Sequence, residues 1–333
     1  MANILVIIVS YNARKWVRKC FRSLEKSSLP ADVLVIDNGS TDGTPALVRK
    51  ACPQARVLET GENLGFGAAN NLGLRIALDE GYQLGYLLNK DAWLEKDTLE
   101  RLAAAWKPEW GILSPMQMDA YGRRDRRFDK KCGKYVDAAL GGYHNDRLVV
   151  EVPFVMAAHW LVSRKAIETV GGFSPAFTQY GEDDNWIDRL HWHGLRCGVV
   201  PAAAAVHDRS ERRLSREKRM RLKCIATVVK ACDPARDWRR VRVREVLELA
   251  GMGVKNLSAV PWRFIPELRA RFPELEALRE VSKQKGAFLP PSESSRRTDG
   301  NYFSDKFAEK PISAPLSDGG RNVSAPGIPI NED

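Results

Sequence analysis

The chain opens with a repeating exchange between short apolar runs and longer amphipathic stretches. Ile4 to Val9, Val33 to Ile36, Ala55 to Leu58 and Gly85 to Leu88 are mostly aliphatic. Short continuous runs of this kind predict strands buried on both faces, as in a parallel sheet. Between them lie Arg14 to Ser28, with Trp16, Cys20 and Leu24 four apart, then Thr44 to Ala51 and Ala68 to Leu78. These predict helices, and Pro45 is tolerated in a first turn. The βαβα alternation predicts an α/β fold with a Rossmann-like, mostly parallel central sheet and flanking helices.

The pattern then changes twice. Lys107 to Val150 is irregular and rich in Arg, Asp, Gly and Tyr. Val152 to Val162 reads as strand, Asp184 to His193 as helix and Arg196 to Val200 as a final strand. Beyond Arg209 the chain turns helical. Leu222, Ile225, Ala226 and Val229 fall at i, i+3, i+4, i+7, and Val243, Val246, Leu247 and Ala250 repeat that spacing. Such stripes beside basic faces fit a helical subdomain packed on the core or a helix pair on an anionic membrane. From Lys283 onward Pro, Ser, Gly and charged residues dominate, which predicts a disordered tail over 283–333.

Composition narrows this picture. The chain has 333 residues, 44% hydrophobic and 28% charged, enough for a large core. Its longest apolar runs are too short to cross a bilayer. Met1-Ala2-Asn3 leads straight into the first strand, so no secretion leader is expected. The six cysteines (20, 52, 132, 197, 224, 232) contain no Cys-x-x-Cys pair. Neither a zinc site nor a disulfide framework is expected, and reduced thiols fit a cytoplasmic protein. The net charge of +10 is concentrated between Arg209 and Arg244. This basic stretch predicts an anionic partner surface, with membrane favoured over nucleic acid.

Candidate chemistry lies at strand ends. Asp37 ends the second strand, Asp91 follows the fourth, and Asp183 precedes a helix within Gly181-Glu182-Asp183-Asp184. Ligands of open α/β sheets bind at the carboxyl ends of the strands. Each acid also has a local explanation: Asp37 in a turn, Asp91 capping a helix near Glu95, and Glu182 to Asp184 at a helix N-terminus. His207 ends the apolar run Ala202 to Val206. It reads as structural, or as a metal ligand if a carboxylate comes within reach. Gly65-Phe66-Gly67 before a helix is a weak dinucleotide signal, because Asn70 replaces the third glycine.

Together, several segments resemble family 2 glycosyltransferases. They are Val6-Ile7-Ile8-Val9-Ser10-Tyr11-Asn12, Val35 to Asp42, Asn63-Leu64-Gly65-Phe66 with Asn70-Asn71, Leu88-Asn89-Lys90-Asp91-Ala92, and Gly171-Gly172-Phe173 with Gly181 to Asp184. The resemblance spans about residues 3 to 210 and leans toward rhamnosyltransferases that build bacterial surface polysaccharides. It implies a GT-A fold, with residues 1–105 binding a nucleotide sugar, 106–210 binding acceptor, and 211–282 a basic helical extension. Ser10, Tyr11, Asn12, Asp37, Asn38, Asn63, Gly65, Phe66, Asn70 and Asn89 would bind the donor. Asp91 and His207 would hold Mg²⁺ or Mn²⁺. Asp183 would be the base, with Glu182, Asp184 and Trp186 toward the acceptor. The implied partners are a nucleoside-diphosphate sugar and a lipid-linked or polysaccharide acceptor at the inner face of the cell membrane. Rhamnose from dTDP-rhamnose is the implied sugar, and Trp93 or Trp160 are candidates for an apolar wall against its methyl group. Two rival readings remain at this point: a sugar-nucleotide nucleotidyltransferase, and a non-catalytic membrane- or nucleic-acid-binding module on the same scaffold.

Overall fold

The computed structural model describes residues 3–141, 148–209 and 215–292. β1 (Ile4–Ser10), α1 (Arg14–Glu25), β2 (Asp32–Asp37), α2 (Thr44–Ala51), β3 (Arg56–Glu59), α3 (Phe66–Asp79) and β4 (Leu84–Asn89) follow the expected alternation. These four strands are parallel, in the order β3-β2-β1-β4. Leu5 and Ile7 enter one core while Val6 and Ile8 enter the other, on the opposite sheet face. Burial on both faces is why β1, β2 and β4 read as unbroken apolar runs, while the edge strand β3 is largely exposed.

The sheet then becomes mixed. In chain order follow β5 (Ala92–Leu94), α4 (Thr98–Ala105), β6 (Trp110–Met118), α5 (Arg126–Phe128), a π-helical turn (Asp129–Gly133), α6 (Lys134–Leu140), β7 (Val150–Glu151), β8 (His159–Ser163), α7 (Arg164–Val170), α8 (Glu182–Trp192) and β9 (Arg196–His207). The full order is β3-β2-β1-β4-β8-β6-β9-β5, with β7 beside β9. β8 runs antiparallel to β4 and to β6, while β9 is parallel to β6.

Three departures from the sequence expectation have physical causes. β6 lies in the stretch that reads as irregular, because Pro115 interrupts it and a register shift follows at Met116. Only the last third of Val152 to Val162 is strand; before it Val152 and Val155 to Ala158 are buried and Pro153 is exposed, without regular structure. β9 continues past Val200 to His207, absorbing Pro201 in that same register shift. This continuation sets His207 opposite Ala92 of β5. The expected helix near Glu95 starts at Thr98 behind Asp97, so Asp91 caps nothing and instead joins β4 to β5.

α9 (Arg216–Cys232), α10 (Trp238–Asn256) and α11 (Ala259–Ser282) share a third core of Cys224, Val228, Leu249, Phe264, Leu268 and Leu275, joined by Phe177. The predicted stripes are only partly packed: Ile225 and Val229 lie against this third core, whereas Ala226, Val243 and Leu247 are exposed. α9 buries Cys224, Val228 and Ala231, and α10 buries Val241, Glu245 and Leu249. Val243 (62% exposed) and Leu247 (65%) face outward beside the exposed Arg239, Arg240, Arg242 and Arg244. No described helix is long and apolar enough to cross a membrane.

The start of the expected tail is packed. Gly172 N donates to Ala287 O (2.7 Å), Asn71 Nδ2 to Phe288 O (3.1 Å) and Arg75 Nε to Pro290 O (2.7 Å). Gly171, with φ of 85°, makes room for this segment: a Cβ there would lie 1.9 Å from Ala287 O. The rest of the tail expected over 283–333, from 293 on, lies outside the described residues, as do 210–214 of the basic stretch.

Candidate active site

Parallel pairing sets the first cluster. Ser10 lies opposite Asp37, and Val9 opposite Asn89, so three strand ends open at one rim. Asp37 is buried and accepts from Ser10 Oγ (2.8 Å), Ser40 Oγ (2.6 Å) and Ser40 N (2.9 Å). Asn12 takes a left-handed conformation (φ 47°) and closes the turn, accepting from Thr41 N while its own N–H donates to Ser40 Oγ. Asn38 donates to Asn63 Oδ1 (2.8 Å) and accepts from Leu64 N (2.9 Å), fixing the loop that enters α3 at Gly65. Tyr11 is exposed over this rim, and Lys90 donates to its carbonyl.

A second cluster forms where β5 pairs with β9. His207 Nε2 lies 3.3 Å from Asp91 Oδ1, with both side chains buried. His207 Nδ1 accepts from Arg209 Nε (3.1 Å), and Arg209 also approaches Asp125 Oδ2 at 3.6 Å. Beneath them His159 is buried in β8. Burial pushes its pKa down to about 3, so it is neutral. Tyr86 Oη lies 3.0 Å from its Nδ1, and its Nε2 lies 3.0 Å from Val206 O, so Nε2 is the protonated nitrogen. His159 thereby holds the strand end that carries His207.

The third cluster is the first turn of α8. Tyr180 (φ 69°) and Gly181 (φ 92°) are both left-handed, which turns the chain sharply into the helix. For tyrosine this conformation is uncommon, and such strain gathers at functional sites. Burial pushes the Glu182 carboxyl up to about 8, with the Asp183 charge adding to it. Asp184 is raised to about 6 by burial and then by Asp183, and its carboxylate lies 3.8 Å from Lys131 Nζ. One turn on, Asp188 is raised to about 7 by burial and then by Asp233.

A cavity of about 740 Å³ connects the second and third clusters. Phe66, Asn89, Glu182, Asp183, Asp184 and His207 line it, so six of the expected site residues meet there. The rim residues Ser10, Tyr11, Asn12, Asp37, Asn38, Asn63 and Gly65 form the separate hydrogen-bonded group next to it along the sheet edge. Trp186 is corrected: it is a core residue, packed on Trp160 (5.5 Å between rings), and its Nε1 donates to Gly171 O. Trp160 is likewise fully buried, and Trp93 sits under Lys19, so neither walls the cavity. Asn70 is buried and donates to Phe66 O within its own helix. The sequence reading missed Arg127 and Lys131, which line the cavity from the stretch without periodicity. It also missed His159, although a polar residue inside an apolar strand run is a usable signal.

Among the described residues no group of three or more His, Cys, Asp or Glu is arranged to hold a metal ion. The Asp91–His207 pair still suits a cation that takes its other ligands from a diphosphate and water. With Arg209 donating to Nδ1, the His207 Nε2 carries its hydrogen toward Asp91. For His207 to join the donor set, its hydrogen would have to sit on Nδ1 so that Nε2 presents a lone pair.

A family model described as glycosyl transferase family 2 matches residues 5–171. The chain belongs to this family and is a glycosyltransferase. It is 29% identical over 240 residues to N-acetylglucosaminyl-diphospho-decaprenol L-rhamnosyltransferase of Mycobacterium tuberculosis, covering 62% of this chain and 76% of that protein. It is 25% identical over 206 residues to beta-monoglucosyldiacylglycerol synthase of Synechocystis, covering 59% of this chain and 42% of that protein. The structure of S. aureus TarS 1-349 in complex with UDP matches with a TM-score of 0.54 at 16% identity, over 90% of this chain and 93% of that one. The chain spans 43% of the longer TarS structure. This likeness is one of fold, and it bears out the GT-A architecture with its added C-terminal helices.

Proposed function

We propose that the chain transfers a sugar from a nucleoside-diphosphate donor to a lipid-linked acceptor by single displacement with inversion, in a metal-dependent reaction. The observation that carries this reading is the one cavity bounded by Asn89 and His207 on one side and by Glu182 to Asp184 on the other. The donor's diphosphate belongs on the first side, below the strand ends. The acceptor hydroxyl belongs on the second. Burial and the neighbouring Asp183 charge hold the Glu182 carboxyl up, which favours its protonated form and a role other than base. Asp184 is turned toward Lys131. Asp183 remains to take the hydroxyl proton as the oxygen attacks the sugar's anomeric carbon. With one base and no enzyme nucleophile, the configuration inverts. A Mg²⁺ or Mn²⁺ ion on Asp91 and His207 would supply Lewis-acid neutralisation of the leaving diphosphate.

Asp37 accepts three hydrogen bonds, and a carboxylate offers about four acceptor sites. The remaining site suits the ring N–H of uracil or thymine. The mycobacterial relative's name supports rhamnose as the sugar, hence dTDP-rhamnose as donor. Phe66 and Phe154, which line the cavity, can meet its methyl group in place of the expected tryptophans. Nucleotide release with a panel of sugar nucleotides and a lipid extract tests this. Preference for a UDP or GDP sugar rejects rhamnose, and release that no chelator reduces rejects the metal.

The outer face of α10 supports residence at the inner face of the membrane. Its exposed Val243 and Leu247 lie beside four exposed arginines, each contributing about 1 kcal/mol near anionic lipid. Sedimentation with anionic vesicles should fall with salt and on changing those arginines to Gln; equal binding to neutral vesicles rejects it.

A further inference from the structure

Phe288 touches two helices at once. Its carbonyl accepts from Asn71 Nδ2 of α3 (3.1 Å), and the centre of its ring lies 5.0 Å from Arg189 Cζ of α8. It does so with a left-handed backbone (φ 63°), which is uncommon for so large a residue. Such strain persists only where the surroundings over-determine it.

Both partners are buried, and both are fastened to one corner of the chain between α7 and α8. Asn71 accepts from Phe173 N (2.6 Å) and donates to Phe173 O (3.0 Å). Arg189 donates to Val170 O (2.7 Å), to Gly172 O and to Asn185 Oδ1 (3.2 Å). A buried charge is costly unless it is hydrogen-bonded, and an aromatic face adds to that support. Gly172 in turn donates to Ala287 O (2.7 Å), beside Phe288. The same two helices begin at the site. α3 starts with Phe66, which lines the cavity and packs edge-on against Phe173 (5.7 Å between rings). α8 starts with Glu182 and Asp183. By helical rise, Asn71 stands about 8 Å behind Phe66 and Arg189 about 9 Å behind Asp183. A small tilt at this joint therefore moves both walls of the cavity.

We propose that Phe288 is a positioning residue for sugar transfer. Its carbonyl and its ring fix α3 and α8 against each other at the 170–173 corner, and so fix the distance from Phe66 on one wall to Asp183 on the other. The inference deepens the reading above, on which it rests, by naming a residue outside the cavity that controls how acceptor meets donor.

The test uses the full chain, the preferred donor and the lipid extract. Phe288→Gly removes the ring and keeps the backbone, because glycine takes positive φ without strain. A misplacement of about 1 Å far from the chemistry costs about 10²-fold. Phe288→Gly should therefore lower kcat by about 10-fold or more. The KM for donor, and the Kd of its nucleoside diphosphate by calorimetry, should stay unchanged. Phe288→Tyr, which keeps the ring, should transfer like the wild type. Rates are compared per nucleotide-binding site, below the Tm of each variant. A Phe288→Gly chain with the wild-type kcat overturns the proposal, as does a Phe288→Tyr chain as slow as Phe288→Gly. So does a Phe288→Gly chain that binds no nucleotide, or that slows only in step with its loss of nucleotide-binding sites, since the segment then serves folding alone. A wild-type chain that releases no nucleotide from any donor overturns the underlying reading instead, and is distinguishable by that.

Discussion

The two sides of the site are built in opposite ways. At the donor rim polar groups satisfy one another: Asp37 with Ser10 and Ser40, Asn38 with Asn63 and Leu64, Asn12 with Ser40 and Thr41. The strand ladder fixes where those residues stand. On the acceptor side Glu182, Asp184 and Asp188 are crowded and raised by burial, behind two residues with left-handed backbone. The proposed nucleotide side is thus held in place by its own hydrogen bonds, whereas the proposed reactive turn gathers carboxyls raised by burial behind an uncommon backbone. The contrast has a sharp consequence. Damage at the rim should weaken the fold, and neutralising the turn should strengthen it even where it stops the reaction.

The strongest break falls on the reactive side. Asp183→Asn should lower transfer by about 10²- to 10⁴-fold, with donor affinity by calorimetry unchanged. If Asp183→Asn stays near wild type while Asp184→Asn is inactive, the base is Asp184. Next, Asp37→Ala leaves Ser10 and Ser40 without their buried acceptor. It should cost about 3 kcal/mol, read as a lower Tm together with weaker nucleotide binding. A variant that binds nucleotide poorly at full stability would show that the rim is not a structural unit.

Between the two sides, Asp91→Ala should remove the part of donor affinity that depends on Mn²⁺, about 10- to 100-fold. Titration of donor with and without Mn²⁺ reads this directly. The smallest effect concerns pH. A carboxyl raised by folding binds its proton more tightly in the native state, so stability falls as pH rises from the ordinary carboxylate range toward about 8. Glu182→Gln should flatten that decline and add about 1 kcal/mol at pH 8 after solvent screening, equivalent to about 2–4 °C in Tm. A Tm that rises over the same window would contradict the burial of these acids.

The first hundred residues were legible because β1, β2 and β4 are buried on both faces, which leaves an unambiguous apolar run for each, and the exposed edge strand β3 keeps its place in the alternation. β6 was not, since Pro115 breaks its pattern and its partners lie far off in sequence. The six cavity residues named from the sequence sit at strand or helix ends, where motif and geometry coincide. Trp186 shows the limit: adjacency to Asp183–Asp184 placed it at the site, but helical periodicity turns it into the core. The helical stripes were real, yet spacing alone does not say what a stripe faces. One divides between the third core and the cavity, and the other leaves Val243 and Leu247 outward.

Asn71 bonds to Phe173 O and to Phe288 O, partners 102 and 217 residues further along. On the ribosome, where residues are added at about 5–20 per second, the second partner arrives about 10–45 s after Asn71 has been made. The Gly171–Gly172 corner, once made, waits about 6–23 s of that interval for the segment that covers it. In the nascent chain this corner of the domain therefore stays unsealed until Ala287 and Phe288 have been made.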